Sequence, residues 1–381
     1  MPIFGVILAF TLLALLGPPG HAQPELDAAA EELREEIGAP GVSLAVIDAA
    51  GRLETAAAGF ADRDARTLFR PETLSFTGSI GKTYAATVAQ LLMNDGVIDP
   101  NAPISRYVGG EDWFDGLPHA ESVTLAQLLN HSAGLADYPD LLSFQASFAW
   151  RRWTGRATNY APAELIRFAA RVQPSGSPGA HFSYSDTNYL AAGLVIEAAS
   201  GRAYYDLLQA RVLDPLGLQD TRPAVGRDIA GLATGYVSPT LANQLARIAG
   251  PTIRNGRLRF DPSLEWTGGG LVATAADIAR FYRALFVDRS LGDAVAAGLL
   301  SDLNPAEGPG LYYGRGIYVQ MKDGQPAILF HGGTFPGYKV GVVLVLETNY
   351  VLAMQANTDK DFSAYRLLRD LHDRLAPAQG R

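Results

Sequence analysis

The chain has no cysteine in 381 residues. That single absence removes disulfides, a catalytic thiol and thiolate metal sites. Charge is scarce as well: 18% of residues are Asp, Glu, Lys or Arg, and the net charge is −8 at pH 7. Lys and Arg form no runs, so the acidic balance argues against non-specific nucleic-acid binding, which needs clustered cations against phosphate. The net charge is read as serving solubility. There is no His-x-x-x-His pair and no clustered carboxylate pattern, so no metal site is expected. The run Gly268-Gly269-Gly270 lacks the Lys-Ser/Thr of a phosphate-binding loop and follows no strand in the required way. No cofactor is therefore implied. Internal repeats and low-complexity tracts are missing too, and no particular oligomer is indicated.

Only one long apolar run exists, Ile3 to Leu16, and Gly17-Pro18-Pro19-Gly20 breaks it. It is short for a bilayer span, and small residues at Gly20 and Ala22 suit a signal-peptidase site. Residues 1–22 are read as a cleaved signal peptide, although no Lys or Arg precedes the apolar run. An uncleaved anchor and a mis-assigned start codon are the alternatives. With no Cys near the cut, a lipid anchor there is excluded. The mature chain, 23–381, is then expected to be exported, periplasmic or secreted, with no membrane span.

Hydrophobic periodicity predicts a helix over Glu25 to Ile37, stopped at Gly38-Ala39-Pro40-Gly41. Strands are expected at Val42–Ile47 and Leu53–Ala58, turning around Ala50-Gly51. Ser79 opens a helix to about Asn94, with Ala85, Val88, Leu91 and Leu92 at helical spacing and Gly96 just past its end. The middle reads as mainly helical, with Leu125–Asn130, Pro162–Ala170, Tyr189–Ala199 and Tyr204–Val212 as its better helices. After a helix at Ala275–Phe286 the pattern changes to strands: Gly316–Met321, Ala327–Phe330, Gly341–Leu346 and Tyr350–Ala356. Asp323-Gly324 and Thr348-Asn349 supply hairpin turns, and Phe362–Leu375 closes the chain as an amphipathic helix. The expected class is mixed α/β (α+β): an antiparallel sheet built from both termini (about 23–78 and 270–381), flanked by helices, with a mainly helical lobe inserted at about 79–269. A cleft between sheet and lobe is the natural place for a site.

Ser79-Ile80-Gly81-Lys82 puts a hydroxyl and an amine on one helical face. A serine hydroxyl needs a neighbour to take its proton, and a lysine with a lowered pKa can do so. The helix N-terminus adds partial positive charge where an oxyanion would form. Two further elements follow in order. Phe182-Ser183-Tyr184-Ser185-Asp186-Thr187-Asn188 contains a Tyr-x-Asp step, and His331-Gly332-Gly333-Thr334 a His-x-Gly step. Together with Phe76 to Thr83, these segments resemble the three motifs of the penicillin-recognising serine hydrolases. The branch is that of class C β-lactamases, D-alanyl-D-alanine carboxypeptidases and related esterases. Leu128 to Leu135, Pro215 to Leu218, Gly268 to Leu271 and Thr274 to Asp277 also look familial, so the resemblance covers essentially the whole mature chain.

The resemblance implies roles. Ser79 attacks a carbonyl and forms an acyl-enzyme. Lys82 shares its proton. Tyr184 acts as general base in acylation or returns a proton to the leaving group. A phenolate there needs a neighbouring cation, and Lys82 and His331 are the candidates. Backbone N–H groups of Ser79 and Thr334 form the oxyanion hole, and Gly333 lets its strand approach substrate closely. Two departures from the family stand out. Asp186 occupies a position where many members carry Asn; a carboxylate only accepts hydrogen bonds, so it is expected to pair with Lys82 or to cap the helix that follows. His331 stands where others have Lys, and a neutral imidazole is a poorer carboxylate partner.

Other residues receive plainer readings. His131 braces a loop by hydrogen bonds. Phe148, Trp150, Trp153 and Tyr160 form lobe core, or else roof the cleft. Tyr312-Tyr313 borders the site or begins a strand. The expected function is hydrolysis of a small-molecule ester, amide or peptide. Small esters and D-amino-acid peptides, including carboxypeptidase chemistry, rank ahead of β-lactams. The alternative from another class is a catalytically silent binder of peptidoglycan fragments or acyl ligands.

Overall fold

Gly41–Ile47 (β1) is buried along its whole length, the pattern of a strand covered on both faces. The computed structural model describes residues 22–376, so the leader reading falls, but for its last residue, outside the described residues. β1 lies inside a nine-stranded antiparallel sheet. Leu53–Asp62 (β2) and Thr67–Leu68 (β3) continue it on one side. On the other side stand the strands of the C-terminal third: Asn304–Pro305 (β4), Leu311–Tyr313 (β5), Tyr318–Lys322 (β6), Gln325–Phe335 (β7), Tyr338–Val345 (β8) and Tyr350–Ala356 (β9). Their order is β4-β5-β6-β7-β8-β9-β1-β2-β3. The join between the two ends of the chain is β1 against β9, with Val42 opposite Ala356 and Ile47 opposite Val351.

Ala22–Ile37 (α1) and Ala364–Leu375 (α7) cover one face of this sheet. On the other face Gly81–Asn94 (α2) and Ala275–Phe286 (α6) bury Ile80, Tyr84, Val88, Phe281 and Leu285 in the main core with Val342 and Leu344. Each such aliphatic or aromatic side chain contributes roughly 1.5–3 kcal/mol by leaving water. Tyr84 and Phe281 stack with ring centroids 3.8 Å apart, which ties α2 to α6.

The insertion between β3 and β4 carries the lobe. Its helices include Leu142–Thr154 (α3), Pro162–Ala169 (α4) and Asp186–Ser200 (α5). Several elements run differently from the periodicity reading. β7 continues through the glycines to Phe335, because β8 pairs with it as far as Phe335 opposite Tyr338; cross-strand pairing overrides the weak strand preference of Gly. The helix from Tyr204 is regular only to Leu208 and widens into a π-helical stretch over Gln209–Leu213. α3 is not among the helices that the periodicity singles out in this mainly helical stretch. Its inner face buries Phe144 against Tyr138 and Tyr160, while Trp150 and Trp153 point outward, 61% and 54% exposed. The four aromatics thus form neither one core group nor a roof: Tyr160 is core, Phe148 is half-buried, and the two tryptophans are surface.

Candidate active site

Ser79 sits in a tight turn, Gly78–Ile80, that leads directly into α2. The turn abuts β7 so closely that a β-carbon on Gly78 would stand 2.7 Å from the Thr334 nitrogen and 2.9 Å from its carbonyl oxygen. Gly78 also holds φ +47, the region glycine enters without strain. Behind the turn, a β-carbon on Gly269 would be 2.7 Å from the Gly78 carbonyl carbon. The glycine run Gly268–Gly270 is therefore a contact surface for the serine turn. The absent side chain of Gly333 makes room for the Thr77 carbonyl of this same turn, where the sequence suggested room for substrate.

One helical turn beyond Ser79, Lys82 is completely buried. Its Nζ donates to Ser79 Oγ at 3.0 Å and to the Gly268 carbonyl at 2.9 Å, and lies 2.5 Å from Asp186 Oδ1. The first two contacts are hydrogen bonds and the third is an ion pair. Burial opposes the charge, but the Asp186 carboxylate and then Tyr184 outweigh it, so Lys82 is held above the ordinary lysine range. It is a fixed cation, and not the lowered-pKa base that the spacing invited. Asp186 is the first residue of α5, where its side chain makes no capping bond. Of its two expected uses, only the pairing with Lys82 is present.

The Tyr184 hydroxyl faces both Ser79 and Lys82, and the ammonium stands 5.0 Å from the ring centroid. Enclosure raises the phenol and the Lys82 charge pulls it back, leaving it above the usual tyrosine value. The resting site therefore holds a neutral phenol, a neutral serine, an ammonium and its carboxylate.

His331 differs from its expected role. It is buried; its Nδ1 is 2.7 Å from the Gly332 carbonyl and its Nε2 is 2.9 Å from the Tyr313 hydroxyl. A carbonyl only accepts, so Nδ1 carries the proton and Nε2 accepts from Tyr313. Burial pushes the ring down to about 3, so it supplies no cation to Tyr184. Neither nitrogen is left for a ligand. Tyr312 and Tyr313 lie at the end of β5, where one of their two readings put them at the start of a strand, and the Tyr313 hydroxyl holds this histidine.

The serine faces a cleft of about 660 Å³ between lobe and sheet. Asp137, Asp140 and Asp186 line the lobe side, and Tyr318, Phe330, His331 to Thr334 and Lys339 the sheet side. Asp137 Oδ1 accepts the Asp186 backbone N–H at 2.7 Å. Burial, with the Asp186 charge adding to it, raises Asp137 to about 7. Glu265 is raised to about 8 by burial and then by Asp186, with Lys82 opposing. The sequence reading missed Asp137, Asp140, Glu265 and Lys339. Asp137 follows the Leu128–Leu135 stretch by two residues, yet no spacing links it to Lys82. Among the described residues no cluster of His, Asp and Glu could hold a metal ion, and no helix is long and apolar enough to cross a membrane.

The Beta-lactamase family model matches residues 26–375. The chain belongs to the Beta-lactamase family. Among solved structures it is similar to a D-stereospecific amidohydrolase from a Streptomyces species, 27% identical, with a TM-score of 0.74 over 92% of this chain and 98% of that one. A D-aminopeptidase of Brucella canis is 26% identical over 84% of this chain, and a penicillin-binding protein of Bacillus subtilis is 25% identical over 80%. This chain spans 57% and 65% of those two relatives' lengths. The family match and the amidohydrolase neighbour support a serine hydrolase.

Proposed function

We propose that this hydrolase cleaves amide or peptide bonds of substrates that present a free ammonium group, with preference for D-amino acids, through an acyl-enzyme on Ser79. The arrangement that carries the reading is Lys82 Nζ set between Ser79 Oγ at 3.0 Å and Asp186 Oδ1 at 2.5 Å. Ser79 Oγ bonds to the substrate carbonyl carbon while its proton passes to Tyr184 Oη. The proton already on Tyr184 goes to the leaving nitrogen, the C–N bond breaks, and an ester remains on Ser79. Water then follows the same path in reverse and releases the acid. No group has to act as a strong base at rest. The Lys82 ammonium steadies whichever oxygen carries negative charge. The oxyanion is assigned to the N–H groups of Ser79 and Thr334. In support, β7 has no partner on the β6 side beyond Phe330, opposite Tyr318, so its inner edge is free at Thr334.

Substrate class follows from charge. Three carboxyl groups line the lobe side of the cleft, one of them, Asp137, raised to about 7 by burial, and Lys339 lines the sheet side; at the third motif His331 is neutral with both nitrogens engaged. Such a cleft favours a substrate ammonium over a substrate carboxylate. An Asn at position 186 could donate to an acylamino carbonyl; Asp186 can only accept. That places β-lactams and C-terminal carboxypeptidase chemistry behind aminopeptidase or amidase chemistry, in keeping with the names of two of the relatives. Small activated esters should also turn over, because their leaving group needs little proton help. Export through residues 1–22 to the periplasm or beyond is part of the proposal.

The test is intact-mass detection of an adduct on Ser79 across D- and L-amino-acid p-nitroanilides, their N-acetyl forms, D-Ala-D-Ala peptides and a penicillin. Expected is turnover of the free-amine D-compounds and its loss on N-acetylation. An adduct with penicillin and none with the anilides would overturn the substrate reading. No adduct with any compound would favour a silent binding protein.

A further inference from the structure

His131 lies outside the relay just described, yet it contacts Tyr184 and both of its chain neighbours. Its carbonyl accepts the Ser183 N–H at 2.8 Å. Its ring Nδ1 accepts the Ser185 N–H at 3.2 Å and faces Asn188 Nδ2 at 3.1 Å. The two residues on either side of Tyr184 are thus both hydrogen-bonded to His131. The imidazole also lies against the phenol ring, centroids 4.2 Å apart and planes inclined by 32°. His131 is fully buried and holds φ +58, a backbone region that strains most side chains.

We infer that His131 is the positioning residue for Tyr184 and works as a neutral ring with its proton on Nε2. A backbone N–H can only donate, so the Nδ1 that receives it must offer a lone pair, and a neutral imidazole then carries its one proton on Nε2. Nε2 has no hydrogen-bond partner among the described residues. Around the ring stand Tyr184, Tyr189, Tyr313 and Phe182. The charged or titratable groups that face it, besides those tyrosines, are Lys82 and His331. Protonation at Nδ1 would set a donor against the Ser185 donor and a second cation near Lys82. Burial first and Lys82 second hold the ring well below the ordinary histidine value. The consequence is geometric: the phenol oxygen is held beside Ser79 by its own backbone, pinned on both flanks, so the relay need not order it during reaction.

This inference rests on the reading of Tyr184 as proton relay, and a double-mutant cycle separates the two. The probe is p-nitrophenyl acetate, with kcat and KM measured apart. His131→Leu removes the acceptor and is expected to lower kcat by about 10²-fold with KM within about twofold. Asn accepts hydrogen bonds and tolerates positive φ, so His131→Asn should recover about tenfold of that loss. In a Tyr184→Phe background, His131→Leu should cost less than about threefold, because the group it positions has already gone. A full, additive loss in that background overturns the inference and leaves the relay standing. Unchanged turnover in Tyr184→Phe alone overturns both. Should His131→Leu not fold, nitrogen-15 spectra of the wild-type histidines decide: a neutral Nε2–H tautomer that does not titrate between about pH 5 and 9 supports the assignment. An Nδ1–H form, or titration in that window, overturns it.

Discussion

The lobe side and the sheet side of the cleft use charge in opposite ways. On the lobe side a buried ammonium meets a carboxylate at 2.5 Å, with further carboxyl groups at Asp137 and Glu265 close enough to feel that pair. On the sheet side the third motif presents a neutral imidazole whose two nitrogens are bonded to Gly332 and Tyr313. Both sides carry a residue type that titrates, but only one keeps its charge. The difference lies in partners: Lys82 has a counter-ion that outweighs burial, and His331 has only neutral dipoles that do not. Among the motif residues fixed charge is therefore concentrated at the foot of α2, while on the sheet side Lys339 is the cation that lines the cleft.

The strongest way to break that contrast is to remove one charge on each side. Lys82→Ala leaves Asp186 without its partner and Ser79 without its donor. Turnover of an activated ester should fall by about 10³-fold or more. His331→Gln swaps one neutral donor–acceptor group for another and should cost under about tenfold. If the two losses are equal, or His331→Gln is the worse, the sheet side is not the neutral side and the contrast fails.

A smaller effect sharpens the lobe side. Asp186→Asn keeps the shape of the pair and removes its anion. Lys82 then loses the interaction that holds it above the lysine range, so it should release its proton at lower pH. The pH–rate profile should shift towards acid, with a rate change of about tenfold or less at neutral pH. A profile that does not move means that Asp186 does not set the state of Lys82.

The sequence carried the outline well, for identifiable reasons. β1, β9 and α6 could be read almost to the residue because they are long and periodic, and the turns at Asp323-Gly324 and Asn349 have the positive φ that such dipeptides favour. Ser79, Lys82, Tyr184 and Asp186 could be named because ordered motifs mark them. What could not be read was set by burial and by long-range partners. The neutrality of His331 depends on its burial in the fold, and its tautomer on Tyr313, eighteen positions earlier in the chain. The burial of Asp137 and Glu265 beside Asp186 depends on three lobe segments that meet only after folding. Trp150 and Trp153 looked like core because tryptophan usually is, while the helix that carries them turns its other face inward.

The least of the expected effects concerns stability, and its sign distinguishes the two kinds of buried group. Glu265 is raised to about 8 and Asp137 to about 7 in the folded chain; unfolded carboxyls titrate near 4. Between about pH 4 and these raised values the folded state holds protons that the unfolded state has lost. The stabilisation they give is fully present below about pH 4 and is lost as pH rises towards 8. His331, lowered to about 3, and His131, held well below the ordinary histidine value by burial, act in the opposite sense. Below about pH 6.5 the unfolded chain takes up protons that the native rings refuse, so these histidines cost stability as pH falls. The two effects oppose each other between about pH 4 and 6.5, and above that only the carboxyl effect remains. Urea unfolding should therefore show stability declining from about pH 6.5 to 8.5, by on the order of 1–3 kcal/mol. Glu265→Gln should flatten that decline without changing its direction, since Asp137 still titrates within it. A wild-type curve that rises across the same interval would mean that these carboxyls are ionised in the folded chain, and that the lobe side of the cleft carries more negative charge at neutral pH than its burial allows.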